Sequence, residues 1–426
     1  MQRDILGLCD ELTARYGGLV RVPVPGNEIY LVADADMLHQ ILVESERTYV
    51  KGERNQLFAP LLGNGLVISG GSHWQRQRKL MNPHFSHQAV GEFEHHIRAS
   101  LDETVADWQK NLGKEIDVNS QMEQLTFRAL LRGLFSGEGQ QHADALFRDF
   151  SVLSQFCIRR FFSPVTLPLR LSYALHPAAR RSAAGMKARL LDIITKRRNA
   201  PRSDKPDLLG MLIEARDENG EGMRDEDICD EITTVFFAGY DTTSVSLTMT
   251  LRMLADQPDA WNRVAAEAKE KVNGAVPTAE EVRSFKLIAS AYKEALRLYP
   301  PAYMINRTPL RDVELGGFPI PEGSLLLLSI WSVHRMPEYW DDPLQFRVDR
   351  FTEENRKEHY RHAYIPFSSG PRICLGIHLA LLEAGMILGT LMKQFRLAPR
   401  PGHEPNVQAY STLHVTGGMP MVVSEG

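Results

Sequence analysis

The chain has 426 residues, of which 43% are hydrophobic and 24% are charged, and its net charge is −4. This composition is that of a globular protein with a large core, and its modest charge gives no indication of a nucleic-acid partner. The four cysteines, Cys9, Cys157, Cys229 and Cys374, have neither metal-type spacing nor a disulfide pattern, which fits a reducing compartment. We find no signal peptide and no uncharged apolar run of about 18 residues, so we expect no membrane span and a cytoplasmic location.

The first half of the chain is predicted to be mostly helical after a short hairpin. Two strand-like runs, residues 19–24 and 29–32, flank the turn signal Pro25-Gly26-Asn27. Arg197 and Arg198 open a stretch to residue 205 that we expect to be a solvated polar connector. Helical patterns cover residues 4–16, 36–45, 72–81, 95–112, 120–135, 143–156 and 178–199.

The longest helical pattern runs from Asp225 to Ala255. Between Ala238 and Ser244 it contains a glycine, an acid and several hydroxyls inside an apolar stretch. A glycine inside a helix costs roughly 1 kcal/mol relative to alanine, and hydroxyls there bond to the preceding turn. Such departures from helix preference are expected at functional sites. A kinked helix with a satisfied Asp241 would explain the same pattern.

The last third of the chain changes from helical to β-like. Thr278 and Glu281 form a capping box, and the following helix, up to residue 299, carries Glu294 and Arg297 on one face. That pair is either buried or an ordinary exposed ion pair. Short strands are predicted at residues 303–308, 313–315 and 325–331, and a hairpin at residues 408–423 that turns at Gly417-Gly418.

A loop rich in glycine and proline, residues 367–376, precedes an apolar helical pattern at residues 377–395. Cys374 lies at the start of that helix, where unpaired N–H groups favour an anion and therefore a metal-binding thiolate. The glycines would let the backbone pass close to a large flat group. Phe367 could shield the sulfur, and Arg372 supplies a cation. Taken alone, a cysteine is more often a small buried apolar residue.

The motif Phe-x-x-Gly-x-Arg-x-Cys-x-Gly at residues 367–376 resembles the haem-binding signature of the cytochrome P450 superfamily. Weaker motifs occur in the order of that family, and the resemblance covers nearly the whole chain after residue 20: Trp74-x-x-x-Arg78, Ala238-Gly239-x-Asp241-Thr242, Glu294-x-x-Arg297 and Phe346-x-x-x-Arg350-Phe351. It implies a mainly α fold with small β-sheets, in which a triangular helical prism holds the haem between the long central helix and the cysteine-ligand helix. It also implies one domain over residues 1–426.

The resemblance assigns roles to individual residues. Cys374 would be the ligand to the iron of haem b (iron protoporphyrin IX), in a loop with Phe367 and Gly376. Asp241 and Thr242 would deliver protons. The other groups would give room over the haem (Ala238, Gly239), hold its propionates (Trp74, Arg78, Arg307, Arg372), and form a buried structural triad (Glu294, Arg297, Arg350). The expected substrate pocket is lined by Leu66, Val67, Ile68, Phe236, Phe237, Ala302, Tyr303, Met304, Ile305, Ser411 and Thr412.

The implied activity is a haem-thiolate monooxygenase that inserts one atom of O₂ into a lipophilic compound of terpenoid, polyketide or fatty-acyl type. Electrons would come from a separate ferredoxin or flavodoxin with its NAD(P)H-dependent reductase. Arg76 and Lys79 would lie on the helix that borders the docking face. Two alternatives remain: a peroxide-driven haem-thiolate enzyme and a non-catalytic haem-binding sensor. Asp241 and Thr242 argue against the first, because a peroxide-driven enzyme needs no internal proton relay.

Overall fold

The computed structural model describes residues 4–24, 26–136, 142–163, 167–199, 206–355 and 360–426. Over these residues the protein is mainly helical with small sheets, as the sequence predicts. The helices are α1 (Ile5–Tyr16), α2 (Ala35–Val43), α3 (Ala59–Leu62), α4 (Gly71–Met81), α5 (Glu94–Lys110), α6 (Val118–Phe135), α7 (Ala143–Phe162), α8 (Leu169–Leu175), α9 (Pro177–Asn199), α10 (Leu208–Glu214), α11 (Asp225–Ala255), α12 (Pro258–Lys271), α13 (Ala279–Arg283), α14 (Leu287–Leu298), α15 (Ile330–Val333), α16 (Tyr360–Ala363) and α17 (Ile377–Gln394). In the described parts of the chain, none of them combines the length and apolarity that crossing a bilayer requires.

The strands form one larger sheet and several small ones. They are β1 (Leu19–Val24), β2 (Asn27–Val32), β3 (Tyr49–Val50), β4 (Glu115–Asp117), β5 (Met304–Pro309), β6 (Val313–Leu315), β7 (Phe318–Ile320), β8 (Leu325–Ser329), β9 (Phe395–Pro399), β10 (Asn406–Ala409), β11 (Leu413–Thr416) and β12 (Pro420–Glu425). The larger sheet has the order β1-β2-β8-β5-β3. The predicted β1–β2 hairpin is antiparallel, and Pro25 of its turn lies outside the described residues.

The larger sheet packs on helix α2. Val32, Leu38, Ile41 and Leu328 are completely buried in their shared core. Alternate residues of a strand face opposite sides, so β8 contributes to this core from one face only. The core holds strand β5 in place, and β5 carries Arg307.

The chain forms two compact units, each built from several segments. Unit 1 comprises Met1–Gly52, Arg98–Thr126 and Tyr240–Gly426, and unit 2 comprises Glu53–Ile97 and Phe127–Gly239. The cysteine loop, the larger sheet and the tail strands belong to unit 1, whereas α4, α7 and α9 belong to unit 2. The interpretation of residues 1–426 as a single domain stays a prediction.

Helix α11 has the predicted bounds and is continuous through Gly239. Its first turn carries three acids, which suit the positive end of the helix dipole. The hydroxyls bond back to the preceding turn, as expected: Ser244 Oγ donates to the Asp241 carbonyl at 3.0 Å, and Ser246 Oγ to the Thr243 carbonyl at 2.9 Å. The hydroxyls of Ser244 and Ser246 therefore have hydrogen-bond partners within the helix, and the helix continues past them.

The predicted tail hairpin is wrong in its turn and in its strands. β10 pairs with β11, so the chain reverses at residues 410–412. β12 pairs instead with β4 and β9. Gly417 and Gly418 have φ angles of 81° and 78°, and they connect strands of two different sheets. A glycine pair marks a left-handed backbone, but it does not identify which strands are partners.

Two further interpretations are corrected. Arg197 is not solvated: it lies in α9, is buried, and donates to both carboxylate oxygens of Asp207 at 2.7 and 2.8 Å. Residues 200–205 of the predicted connector lie outside the described residues. The strand predicted to reach residue 331 ends at Ser329, because the Ser329 hydroxyl caps α15 by accepting from the Ser332 amide.

Candidate functional site

Cys374 lies in a tightly folded loop at the start of α17, and its side chain is exposed. Its amide donates to the Phe367 carbonyl at 2.9 Å, and the Ile373 amide donates to the Gly370 carbonyl at 3.1 Å. Gly376 is the N-cap of α17 and offers no side-chain acceptor. The loop therefore presents a thiol at the positive end of an 18-residue helix.

Gly370 is required by the close approach of helix α2 to this loop. It has a φ of 69°, and a Cβ atom added there would lie 2.1 Å from the Leu42 carbonyl oxygen. Any other residue would be strained in the backbone and would also clash with backbone atoms. The end of α2 thus fixes the path that leads to Cys374.

Arg307 and Arg372 form a buried, predominantly positive site in unit 1. Arg307 is 4% exposed, and its Nε donates to the Ser45 hydroxyl at 3.0 Å. Arg372 binds the Glu46 carboxylate, with Nε and Nη2 both 2.8 Å from Oε1. Burial, followed by the charge of Arg372, lowers the pKa of Arg307 to about 10. Two cations therefore share one acid, which favours binding of a further anion.

These residues fit the haem that the resemblance implies. A thiolate is a haem-iron ligand, and paired guanidinium groups suit carboxylates such as haem propionates. The other two predicted propionate partners, Trp74 and Arg78, lie one turn apart on α4 in unit 2, where Trp74 is buried.

The predicted triad of Glu294, Arg297 and Arg350 is completely enclosed. Arg297 donates through Nε and Nη2 to the two oxygens of Glu294, and Arg350 Nε donates to Oε1, each at 2.8 Å. Two guanidinium groups face one carboxylate, and their remaining N–H groups donate to backbone carbonyls. Arg297 Nη1 donates to the His334 carbonyl and Arg350 Nη1 to the Asp341 carbonyl, each at 2.8 Å. The triad ties α14 to the segment around residues 334–350, and its interpretation as an exposed ion pair is excluded.

His334 belongs to this network, although no sequence motif contains it. Its Nε2 accepts from the Ile365 amide at 3.0 Å, and its Nδ1 lies 3.1 Å from the Arg297 carbonyl. Burial and the neighbouring Arg297 and Arg335 charges lower the pKa of His334 to about 3, so the ring is neutral. A neutral ring with one acceptor and one donor connects the triad to the entrance of the cysteine loop.

Asp241 and Thr242 occupy a half-buried turn of α11. Burial raises the pKa of Asp241 to about 6, while 20% of its side chain stays exposed. Ala238 is exposed, and a Cβ added to Gly239 would meet Leu130 at an ordinary 3.6 Å. Contacts within unit 2 would therefore admit a side chain at position 239, and they do not account for the presence of a glycine there.

Two stretches of the predicted pocket adjoin in unit 1. The Leu413 amide donates to the Pro301 carbonyl at 2.9 Å, and the Tyr303 hydroxyl to the Tyr410 carbonyl at 2.8 Å. Ala302 thus lies beside the turn that contains Ser411 and Thr412. Met304 and Ile305 pack instead on the two apolar clusters of the larger sheet.

The pocket residues of unit 2 divide into packed and more accessible side chains. Leu66 and Ile68 are buried, and the Leu66 amide donates to Glu231 at 3.1 Å. Phe236 stacks edge-on against Phe150 at 4.6 Å and lines an apolar cavity of about 20 Å³ inside the unit. Val67 and Phe237 are half-buried, so their side chains are the more available ones.

The cations predicted to border a docking face are ion-paired. Arg76 Nε lies 2.8 Å from Asp217, and Lys79 binds Glu218. Arg76 also donates to the Gly222 carbonyl at 3.0 Å. Arg76 is therefore a structural link between α4 and residues 217–222, whereas Lys79 is in an exposed pair.

The chain matches the family model described as Cytochrome P450 over residues 2–417. It is 30% identical to cyclooctat-9-en-7-ol 5-monooxygenase of Streptomyces melanosporofaciens, over 91% of this chain and 84% of the relative. It is 29% identical to pentalenene oxygenase of Streptomyces avermitilis, over 97% and 91% of the two chains. The crystal structure of the cytochrome P450DA heme domain matches with a TM-score of 0.89 and 26% identity, over 99% of this chain and 92% of that chain. The sequence, the fold and the chemistry of the cysteine loop agree, and the chain belongs to the cytochrome P450 family of haem-dependent, oxygen-incorporating monooxygenases.

Proposed function

We propose that Cys374 is the protein ligand to the iron of haem b, and that Arg307 and Arg372, with Trp74 and Arg78, hold the propionates. Support comes from an exposed thiol at a helix start and from two buried guanidinium groups that share Glu46. When bound, a thiolate-ligated haem supplies the centre at which O₂ is reduced and the O–O bond is cleaved. The protein supplies ligation, protons and substrate orientation.

We propose that Asp241 and Thr242 form the proton-delivery pair. The observation that carries this proposal is the placement of Asp241 and Thr242 next to each other in a half-buried turn of α11, where burial raises the pKa of the Asp241 carboxyl to about 6, near the working pH of an enzyme. Such a group can bind a proton at its carboxylate and release it again close to neutrality. The adjacent Thr242 hydroxyl both donates and accepts, so it can orient a water molecule next to the acid.

We propose a terpenoid-type substrate. The relatives from Streptomyces are named for oxidation of cyclooctat-9-en-7-ol and pentalenene. A mouse relative, 29% identical over 85% of this chain, is named leukotriene-B4 omega-hydroxylase 3, so the fatty-acyl class must be compared directly. Terpenoids, fatty acids and polyketides should be screened for displacement of iron-bound water, which changes the haem spin state and its absorption. Binding of fatty acids alone would refute the terpenoid assignment.

We propose that electrons arrive from a ferredoxin or flavodoxin with its NAD(P)H-dependent reductase. The test compares product formation with that reductase system and with hydrogen peroxide alone. A monooxygenase makes product with the reductase system. Product with peroxide alone would favour the peroxide-driven alternative, and ligand binding without product in either assay would favour the sensor. We propose a cytoplasmic location, because Cys9, Cys157, Cys229 and Cys374 are thiols and not disulfides.

A further inference from the structure

His414 lies close to the acid of the proposed proton-delivery pair. Its Nε2 is 3.9 Å from Oδ2 of Asp241, and the two side chains are 28% and 20% exposed. Within the described ranges of the chain, His414 is the basic side chain that comes within 4 Å of this carboxylate, and no Arg or Lys does so. Asp241 therefore has one partner that can carry a positive charge.

The position of His414 is fixed by the hairpin β10–β11. Its Nε2 lies 3.1 Å from the Thr412 hydroxyl, and its ring packs edge-on against Tyr410 at 5.4 Å. The turn is held by two hydrogen bonds to residues 301–303, from the Leu413 amide and from the Tyr303 hydroxyl. The imidazole is thus held by contacts within a hairpin that is itself hydrogen-bonded to residues 301–303.

The other groups that face Asp241 do not offer a cation. Glu123 of α6 interacts with Asp241. Burial raises the pKa of Glu123, the hydrogen bond from the Asn119 amide partly opposes this, and the negative charge of Asp241 raises the pKa further. Tyr240 of α11 also interacts with Asp241, and its pKa is raised by burial and by both acids, so it stays neutral. Burial lowers the pKa of His414 below its ordinary value. The 3.9 Å between His414 Nε2 and Asp241 Oδ2 brings an imidazole and a carboxyl close enough for a proton to pass between them through one water molecule.

We propose that His414 is a positioning residue that orients the Asp241 carboxyl and reloads it with protons. This inference rests on the proposed role of Asp241. In the reloading step the Nε2–H bond of the imidazolium breaks and an O–H bond forms at Asp241 Oδ2, which leaves a neutral imidazole protonated on Nδ1. Water then returns a proton to Nε2. A bridging water or a small rotation of the ring spans the 3.9 Å.

The first test measures the pKa of His414 by NMR, with ¹⁵N-labelled histidine in the diamagnetic ferrous carbon monoxide complex. The signal is assigned by its loss in His414→Gln. Because the Asp241 carboxylate stabilises the imidazolium, Asp241→Asn should lower the pKa of His414 by about one pH unit. Tyr410→Phe, which keeps the ring that packs on His414, should leave the pKa of His414 in place. A pKa that is the same in wild type and Asp241→Asn would overturn the proposal.

The second test is a double-mutant cycle on the rate of product formation. Glutamine keeps a hydrogen-bonding group but cannot carry the proton, so His414→Gln should slow turnover by about tenfold, less than the about 10²–10⁴-fold typical of a group that transfers the proton directly. The effect should vanish in the Asp241→Asn background, because both residues act in one path. Substrate binding, read from the haem spectrum, should be unchanged.

The outcomes of the cycle test the role of His414 separately from the role of Asp241. A slow Asp241→Asn enzyme with a wild-type rate for His414→Gln would overturn the role of His414 and keep that of Asp241. If both single variants are slower and their two effects multiply in the double variant, the residues act independently. That result would also overturn the proposed role of His414, because His414 would then act elsewhere. Full activity of Asp241→Asn would remove the proposed relay, and with it this inference.

Discussion

Nε and Nη2 of Arg297 each lie 2.8 Å from a different oxygen of Glu294, and solvent reaches neither side chain. Arg350 adds a third hydrogen bond to the same carboxylate. Charges removed from water in this way contribute little net stability as a set, but removing one partner leaves the others uncompensated. The cost therefore appears when a single member is deleted.

Glu294→Ala should lower the free energy of unfolding by about 3–5 kcal/mol, because two buried cations lose their counter-charge. We expect haem-poor or insoluble protein, measured by the ratio of haem absorbance to protein and by thermal denaturation. Glu28→Ala is the matched control, since Arg21 binds Glu28 through the same two-pronged geometry on the surface. It should change the melting temperature little. Stable, fully haem-loaded Glu294→Ala would contradict the structural role.

Cys374→Ser should abolish the strongly red-shifted absorption of the reduced carbon monoxide complex, because a hydroxyl cannot replace the thiolate ligand. Cys9→Ser is the control: burial raises the pKa of the Cys9 thiol to about 11, so it is a neutral side chain in an apolar cluster. That variant should retain the band, with some loss of stability. If Cys374→Ser retained the band, another residue would be the iron ligand.

Gly370→Ala should disrupt the cysteine loop, because the new methyl group would meet the Leu42 carbonyl at 2.1 Å. Gly417→Ala tests backbone strain alone: its φ is also positive, at 81°, but nothing lies within 4 Å of the added atom. That control should lose only about 1–2 kcal/mol of stability. Gly370→Ala should lose more, together with haem occupancy. Equal effects of the two substitutions would show that the contact with Leu42 relaxes easily.

Thr242→Ala should still bind substrate and consume reducing equivalents, but release most of them as hydrogen peroxide. Asp241→Asn should instead slow the whole cycle, by about 10²–10⁴-fold if the acid transfers the proton itself. The measurement is peroxide and product, side by side, at matched NAD(P)H consumption. Wild-type coupling in Thr242→Ala would exclude its hydroxyl and direct attention to Thr243.

The same acid predicts a dependence of stability on pH. Its folded pKa of about 6 is higher than the ordinary value, so the carboxyl holds its proton more tightly in the folded state. The contribution of Asp241 to the free energy of unfolding is therefore greatest below the pKa that this carboxyl has in the unfolded chain, and it is lost as the pH rises towards 6. Asp241→Asn should flatten the change of melting temperature with pH between about 4 and 6. An unchanged slope would mean that the carboxyl is well solvated.

Lys79→Glu should slow reduction by an acidic ferredoxin if α4 borders the docking surface, and added salt should slow reduction of the wild type. Arg76 is unsuitable for this test because its bonds to Asp217 and the Gly222 carbonyl are structural. Lys196→Glu is the matched control, since Lys196 is also exposed and paired, with Asp192 at 2.7 Å. Equal reduction rates for both variants would move the docking surface elsewhere.

The sequence predicts best those features whose cause is local. The bounds of α11 follow from a long helical pattern with acids in its first turn, and the capping box of Thr278 and Glu281 forms as expected. The cysteine loop is recognisable because its glycines and its helix start are adjacent in the chain. In each case the interacting groups lie within a few residues of one another.

Features that depend on distant partners escape such a prediction. Arg197 looks like a solvated charge until Asp207 is placed against it. His334 and His414 carry no motif, because their roles come from contacts with Ile365 and Asp241, far away in sequence. A histidine indicates a functional role when it lies near an acid that has no Arg or Lys partner. That proximity can be recognised only once the fold is known.

The strand β12 has a consequence for how the protein is synthesised. It is the middle strand of its sheet, pairing with β4 on one side and β9 on the other. During vectorial synthesis β4 leaves the ribosome before β12 exists, so its edge stays unpaired until residues 118–419 have been made. Slow translation of this intervening segment would prolong the time for which β4 has an open edge.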